Sequence, residues 1–193
     1  MTQNQSTPSV KTSNDQPLRH ILDLMHTQRE SLYARLFELP PALIWKRPGP
    51  GEWSVGENLD HMVVIYRSTF PLFIACWWLL RPVAWLRRDQ PYQAEIDNVY
   101  LRPGFPQKVG WMWPPRFTPA RPVSLEQLYD NARRTHHQID DWYSQRDPAL
   151  LGSTPLWDLV IGLVNLIQGL RVGVYHDDLH RGQIERTIKV ISA

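Results

Sequence analysis

Residues 165–190 read NLIQGLRVGVYHDDLHRGQIERTIKV, and this segment predicts a long helix with metal-binding chemistry on one face. Asn165 and Gln168 are spaced as a capping box, so the helix is expected to begin here and to run to the end of the segment. His176 and His180 stand at i and i+4, where their Cβ atoms are neighbours on one helical face. Two imidazoles placed in this way can bind one metal ion, although the same spacing also arises by chance on solvated faces.

Two glycines lie on the same face as the histidine pair. Counting about 100° per residue, Gly169 and Gly173 align with His176 and His180, and Gln183 follows them. Glycine inside a helix costs about 1 kcal/mol relative to alanine, so its presence twice needs a physical reason. The glycines either leave open volume near a metal or allow another helix to pack closely, and the spacing fits both explanations.

A third metal ligand would have to come from another helix, and His61 is the best candidate. Ser54 and Glu57 form a second capping-box pattern, which predicts a helix from Ser54 to about Leu80 with a kink near Pro71. His61 lies two turns into this helix, on a face of mixed polarity. Taken alone, such a histidine would more often be a hydrogen-bonded core residue. The remaining histidines are expected at solvated surface positions: His20, His26, His136 and His137.

Two further helices complete a bundle. Apolar residues recur at helical spacing from Pro17 until the prolines at 40 and 41, and the capping pattern Ser124–Gln127 begins another helix that runs to about Arg146. Residues 156–164, before the last helix, are short and β-branched enough to be extended. We therefore predict an all-α fold, a four-helix bundle with a long aromatic crossover between its second and third helices.

The chain is expected to form one domain over residues 17–193, because this length buries enough apolar surface for independent folding. Residues 1–16 are polar and lack the apolar core of a secretory signal, so we expect a disordered N-terminal tail. The crossover, residues 89–122, has no helical periodicity and carries many aromatic side chains. A loop this long in a compact domain is usually functional, and we expect it to pack over a site.

Composition and one apolar segment bear on the partners. The segment Phe70–Leu86 is interrupted by Pro71, Arg81 and Pro82 and is short for crossing a bilayer. We expect a buried or dimer-facing helix end, and hence a homodimer; contact with a membrane is the less favoured alternative. A formal net charge of +2, with both signs interspersed, argues against nucleic-acid binding. The lone Cys76 excludes an intramolecular disulfide and fits a cytoplasmic protein.

Two motifs together carry a family resemblance. Trp53-Ser54 begins the second helix with a histidine about two turns later, and residues 175–184 read Tyr-His-Asp-x2-His-x2-Gln-Ile. This combination resembles the DinB-like superfamily of four-helix bundles, which includes the YfiT-like proteins, and the likeness covers about residues 17–190. The long apolar end of the second helix and the aromatic crossover depart from the family pattern. In that family the matching histidines ligate one divalent metal, so the resemblance implies three ligands here: His61, His176 and His180.

A metal held by three neutral imidazoles keeps open coordination positions, as catalytic rather than structural sites do, and it can activate a bound water or thiol. Glu57 is the nearest candidate for a general base, although its capping role explains it equally well. Asn58 and Gln183 could orient a ligand or a metal-bound water. Because three-imidazole sites suit several first-row ions, we expect zinc or nickel before manganese or iron.

The resemblance implies an enzyme acting on a small molecule. Its characterised relatives include transferases and isomerases that use a low-molecular-weight thiol, so the first hypothesis is a transferase with a thiol co-substrate activated at the metal. A metal-dependent hydrolase of small amides or esters is the alternative. A third hypothesis is a non-catalytic metal-binding protein with a Trp-rich interaction surface.

Overall fold

Four long helices form the framework of the fold, and shorter elements connect them. The structure, a computed structural model, describes residues 16–105, 122–158 and 161–192. In chain order the elements are α1 (Gln16–Leu36), α2 (Pro41–Ile44), α3 (Val55–Arg87), a 3₁₀ turn (Val99–Leu101), α4 (Leu125–Ser144), α5 (Pro148–Ser153), β1 (Pro155–Asp158), β2 (Gly162–Asn165) and α6 (Leu166–Ile191). α1 and α3 each pack against both α4 and α6, which closes the bundle. This arrangement confirms the predicted all-α four-helix bundle.

Side-chain caps begin three of the long helices where the sequence predicts them. Ser54 Oγ accepts a hydrogen bond from the Glu57 amide at 3.2 Å, and the Glu57 carboxylate accepts from the Ser54 amide at 2.8 Å. The same reciprocal pair joins Asn165 and Gln168 at the start of α6. At α4, Ser124 Oγ accepts from the amide three residues later. Each of these amides would otherwise lack a partner at the helix end, so local sequence determines the three start points.

α3 extends to Arg87, beyond the end that the sequence predicts. Pro82 stands inside it, where a proline removes a backbone donor and crowds the preceding turn. Trp77 and Ala84, on either side of the proline, are buried, and the Trp77 ring packs against Trp142 of α4 with 5.9 Å between ring centroids. Packing against the bundle therefore holds the helix together across the proline.

Two apolar clusters fill the bundle, and buried polar residues separate them. One cluster contains Met25 of α1 and Ile139 of α4, and the other contains Leu32 of α1 and Leu128 of α4. Between these levels every long helix contributes buried polar side chains. This polar layer consists of Gln28 and Arg29 of α1, His61 of α3, Thr135 and His136 of α4, and His176, Asp177 and His180 of α6. Because unpartnered polar groups are costly to bury, contacts inside the polar layer constrain how the helices align.

A short antiparallel hairpin lies between α5 and α6. Leu156 pairs with Val164 and both are buried, whereas the neighbouring pair, Trp157 and Leu163, is exposed. This alternation is that of a strand pair with one face on the core. The hairpin confirms the predicted extended segment, of which residues 159–160 lie outside the described residues.

The described part of the crossover packs onto the bundle. The Tyr92 ring lies so close to the backbone of Gly152 in α5 that a side chain at Gly152 would clash with it. Val99 is buried, and the 3₁₀ turn contacts α6. The structure describes the crossover as far as Phe105, so the expectation that it covers a site can be tested for this part. The rest of its aromatic residues and the predicted disordered tail lie outside the described residues: Trp111, Trp113, Phe117 and residues 1–15.

The C-terminal half of α3 carries a large exposed apolar surface. Leu79 and Leu86 are 77% and 76% exposed, respectively. Of the two predicted alternatives, a helix end buried in the bundle is wrong for these side chains, because only the opposite side of α3 contacts the bundle; a dimer-facing end stays a prediction. Among the helices that the structure describes, α3 is also the one long and apolar enough to cross a membrane, by length and composition alone.

We predict that Ser124→Ala lowers the free energy of unfolding by about 1 kcal/mol, because the exposed serine hydroxyl caps α4 through one hydrogen bond. Urea unfolding followed by far-ultraviolet circular dichroism measures the change. Ser124→Asp keeps a capping acceptor and should retain nearly all of the stability. Equal losses in the two variants would contradict the capping interpretation.

Candidate metal centre

The three histidines predicted as ligands lie together inside the bundle. His61 projects from α3, whereas His176 and His180 project from successive turns of α6, and all three side chains are buried. Their ring centroids lie 4.5 to 5.2 Å apart. One ring nitrogen from each lies within 4.8 Å of the other two. The arrangement requires α3 and α6 to face each other at this level, which the sequence alone did not establish.

The distance between two of these rings fits a shared metal ion. Nε2 of His61 lies 3.3 Å from Nε2 of His176. Two nitrogens at about 2.0 to 2.1 Å from one ion, in tetrahedral geometry, would be about 3.3 to 3.4 Å apart. The two imidazoles therefore already have the spacing of ligands around one ion.

Asn58 fixes the protonation of the third imidazole. Its side-chain oxygen lies 2.9 Å from Nδ1 of His180, and its amide nitrogen donates to the Ser54 carbonyl at 2.9 Å. Because the amide oxygen can only accept, Nδ1 of His180 carries the proton, and Nε2 is left with a free lone pair. Asn58 was predicted to orient a ligand or a bound water; the structure instead places it behind His180, where it orients the ring.

Burial keeps two of the imidazoles, those of His61 and His180, uncharged. Desolvation, reinforced by the neighbouring His176, lowers the pKa of His61 to about 3. Desolvation also lowers the pKa of His180 to about 2, the two other imidazoles lower it further, and a side-chain hydrogen bond with Gln183 opposes this shift. Both rings are thus neutral at physiological pH, which is the form that binds a cation.

Aromatic side chains enclose the three imidazoles. The Trp53 ring contacts His61 edge-on at 4.8 Å between centroids and stacks over His180 at 6.1 Å. Tyr100, from the 3₁₀ turn of the crossover, lies 5.9 Å from His176. The crossover therefore does cover the site at this residue, as the sequence analysis expected.

The sequence analysis did not identify Asp177, which lies on the far side of His176. Its Oδ1 is 3.6 Å from Nδ1 of His176, just beyond hydrogen-bond distance, and neither atom has a hydrogen-bond partner among the described residues. Its Oδ2 accepts a hydrogen bond from the Tyr66 hydroxyl at 3.0 Å and lies 4.0 Å from Nε2 of His136. This buried carboxylate stands where it can orient the His176 ring.

The prediction that His136 is a solvated surface residue is wrong, because its side chain is buried beside Asp177 and Tyr66. The sequence does contain a pattern that indicates burial of His136. Ala132, His136 and Ile139 are spaced at four and three residues, which places the histidine on the inward stripe of α4. The strongly polar composition of that helix concealed this periodicity.

Glu57 does not line the site. Both of its oxygens are engaged by Arg47, and one also accepts from the Ser54 amide. Burial opposes ionisation of Glu57, but these hydrogen bonds and the guanidinium outweigh it and lower the carboxyl pKa. A carboxylate held in this way is a poor proton acceptor, so the contacts support the capping role rather than that of a general base.

A cavity of about 470 Å³ opens beside the three imidazoles. Its walls are mostly aromatic and aliphatic, and Asp158 is the one charged side chain among its described lining residues. Gln183, predicted to bind a cofactor or ligand, lines the same cavity. A volume of this size with a few convergent polar groups is typical of a small-molecule site.

The two glycines of α6 are explained by close helix packing. A Cβ on Gly173 would lie 2.9 Å from the Tyr66 ring, and one on Gly169 would lie 2.9 Å from the Phe73 ring. Both glycines also line the cavity. They allow two aromatic rings of α3 to approach the α6 backbone and form a cavity wall. Close helix packing and open volume, the two explanations that the spacing allowed, therefore both apply.

Comparison with known proteins gives the family. The sequence model of the DinB superfamily matches residues 24–184, which include all three histidines. No curated protein matches the chain significantly. Among solved structures, the chain is similar to YfiT from Bacillus subtilis, described as a probable metal-dependent hydrolase with an unusual four-helix bundle topology. The TM-score is 0.54 at 10% sequence identity, and the match covers 100% of this chain and 94% of that one. Since the family match spans well over half of its length, the chain belongs to the DinB superfamily.

Proposed function

We propose that this protein is a metal-dependent enzyme that holds one divalent ion through His61, His176 and His180. The observation that carries the proposal is the 3.3 Å separation between the Nε2 atoms of His61 and His176, beside a third neutral imidazole. Membership of the DinB superfamily and the fold shared with YfiT support the same assignment. Zinc or nickel is the expected ion, because neutral imidazole ligands suit both.

Neighbouring residues would hold the ligands in place. Asn58 accepts from Nδ1 of His180, and Asp177 lies where it can accept from Nδ1 of His176. Partners of this kind fix ring orientation and raise the basicity of the metal-binding nitrogen. When bound, the ion would supply Lewis acidity that activates water or a thiol and polarises a carbonyl.

Hydrolysis of a small, uncharged amide or ester fits the cavity best. The described lining contains neither lysine nor arginine, and Asp158 adds a negative charge. Apart from the ion itself, a carboxylate-bearing thiol such as glutathione would find no cation among the described lining residues to pair its anionic groups, which is costly. The predicted thiol transfer is therefore the second candidate, and it requires an uncharged thiol.

The first prediction concerns metal content. The purified protein should carry about one equivalent of a divalent ion, and His176→Ala together with His180→Ala should abolish binding, because one imidazole cannot hold the ion alone. Inductively coupled plasma mass spectrometry measures the content. His20→Ala with His137→Ala removes two exposed histidines and should leave it unchanged. Unaltered metal in the first double variant would refute the ligand assignment.

The second prediction concerns Asn58. Asn58→Ala should weaken metal binding by roughly 10- to 100-fold, because the His180 ring loses the acceptor that orients it. Asn58→Asp retains an oxygen at the same place and should restore most of the affinity. Competition with a chromophoric chelator gives the dissociation constants. Equal affinities in all three proteins would show that the contact has no part in metal binding.

The third prediction concerns the reaction. The metal-loaded protein should hydrolyse small neutral esters or amides bearing an apolar group, and the His176→Ala/His180→Ala variant should lose at least about a thousandfold in kcat/KM. Chromatographic detection of the released acid measures the rate without added thiol. Turnover that appears only when a thiol and an electrophile are both supplied would assign the transferase reaction instead.

A further inference from the structure

The C-terminal half of α3 exposes an apolar surface that the metal site does not use. Counting about 100° per residue, its exposed apolar side chains spread over an arc of roughly 160°. We call this the α3 apolar face. Its large members are Leu72, Trp78, Leu79, Val83, Trp85 and Leu86. Contiguous exposed apolar surface of this kind marks a site of interaction rather than ordinary solvent contact.

Arginines border the α3 apolar face. The Arg81 guanidinium lies 5.9 Å from the Trp78 ring centroid, and the Arg88 guanidinium lies 4.6 Å from that of Trp85. Arg87 is exposed at the opposite edge. Exposed arginines beside apolar surface can cover it with their aliphatic stems while their charges reach water or headgroups, as such side chains do at a membrane interface.

The charged side chains of this part of α3 are all positively charged arginines. Between Asp60 and Asp89 the sequence contains no acidic residue. Asp89 itself is exposed and lies 3.8 Å from Arg88. The tryptophans and basic residues together match an anionic lipid surface, since tryptophan favours the headgroup level and each nearby arginine is attracted by anionic lipid.

We propose that the α3 apolar face binds peripherally to the surface of an anionic lipid bilayer. The leucines and Val83 would enter the boundary between headgroups and acyl chains, and Arg81, Arg87 and Arg88 would contact the phosphates. This inference does not depend on the proposed metal chemistry, because no metal ligand belongs to the face.

The helix lies on the bilayer and does not cross it. From Leu72 to Leu86 the exposed apolar run is roughly 22 Å long at about 1.5 Å per residue, whereas the hydrocarbon core is about 30 Å thick. Trp77 and Ala84 are buried on the other side of the helix. A spanning helix would have to separate these residues from the bundle.

A second copy of the chain fits this surface less well. In a two-fold dimer the same patch faces itself, so the arginines of both copies would be gathered at one interface. The face has no acidic residue of its own to pair with them. Like charges brought together in this way oppose association, whereas anionic lipid neutralises them.

Vesicle cosedimentation with the full-length protein tests the proposal. Vesicles of phosphatidylcholine with phosphatidylserine should bind the protein, and vesicles of phosphatidylcholine alone should bind it more weakly; added salt should reduce binding to the former. Leu79→Gln with Leu86→Gln should weaken binding at least about tenfold. Arg81→Gln with Arg88→Gln should weaken binding to the anionic vesicles by a similar factor, roughly tenfold or more.

A matched control removes exposed apolar groups elsewhere. Leu101→Gln with Val190→Gln should bind vesicles as the unmodified protein does, and circular dichroism should show unchanged helix content in every variant. Absence of sedimentation with anionic vesicles, or equal binding by the Leu79/Leu86 variant, would overturn the proposal. A dimer seen by analytical ultracentrifugation without vesicles and broken by the same leucine substitutions would overturn it too, by assigning the face to a second copy.

Discussion

Burial of polar side chains at one level of the bundle is the constraint on which the rest of this structure depends. The polar layer lies between two apolar clusters, and its members depend on partners that other helices bring to them: Asp177 accepts from Tyr66, and His180 is hydrogen-bonded to Asn58. If α3 slipped by one turn against α6, about 5.4 Å, His61 would no longer lie beside the histidine pair. The cost of stranding desolvated nitrogens therefore selects one alignment of the helices, and that alignment brings the three imidazoles together.

Tyr66 of α3 connects the cavity wall to the buried histidines of α6. Two glycines bring Tyr66 and Phe73 of α3 against the helix backbone and form the wall of the cavity. One turn after Gly173, Asp177 lies beside His176 and accepts from the Tyr66 hydroxyl. The shape of the cavity and the placement of Asp177 therefore depend on the same close contact between α3 and α6.

α3 meets two environments along its length. Its N-terminal half, with Asn58 and His61, is buried and polar where it faces α6, whereas its C-terminal half is packed on one side and apolar and exposed on the other. Both halves form one helix, because the capping box fixes its start and buried residues hold the chain across Pro82. A helix with this division can anchor a reactive site at one end and present a separate contact surface at the other.

The sequence by itself determined the structural features that depend on residues close together along the chain. The caps at Ser54, Ser124 and Asn165 set three helix starts, and the spacing of His176 and His180 places both imidazoles on one helical face, because these relations span four residues or fewer. The family resemblance then connected His61 to that pair. Only the tertiary structure decided which distant groups hydrogen-bond to each side chain. Arg47 donates to Glu57, and Asn58 accepts from His180. Burial of His136 and the exposure of the α3 apolar face were likewise decided there, because partners far apart in sequence are chosen by helix packing, which local spacing does not encode.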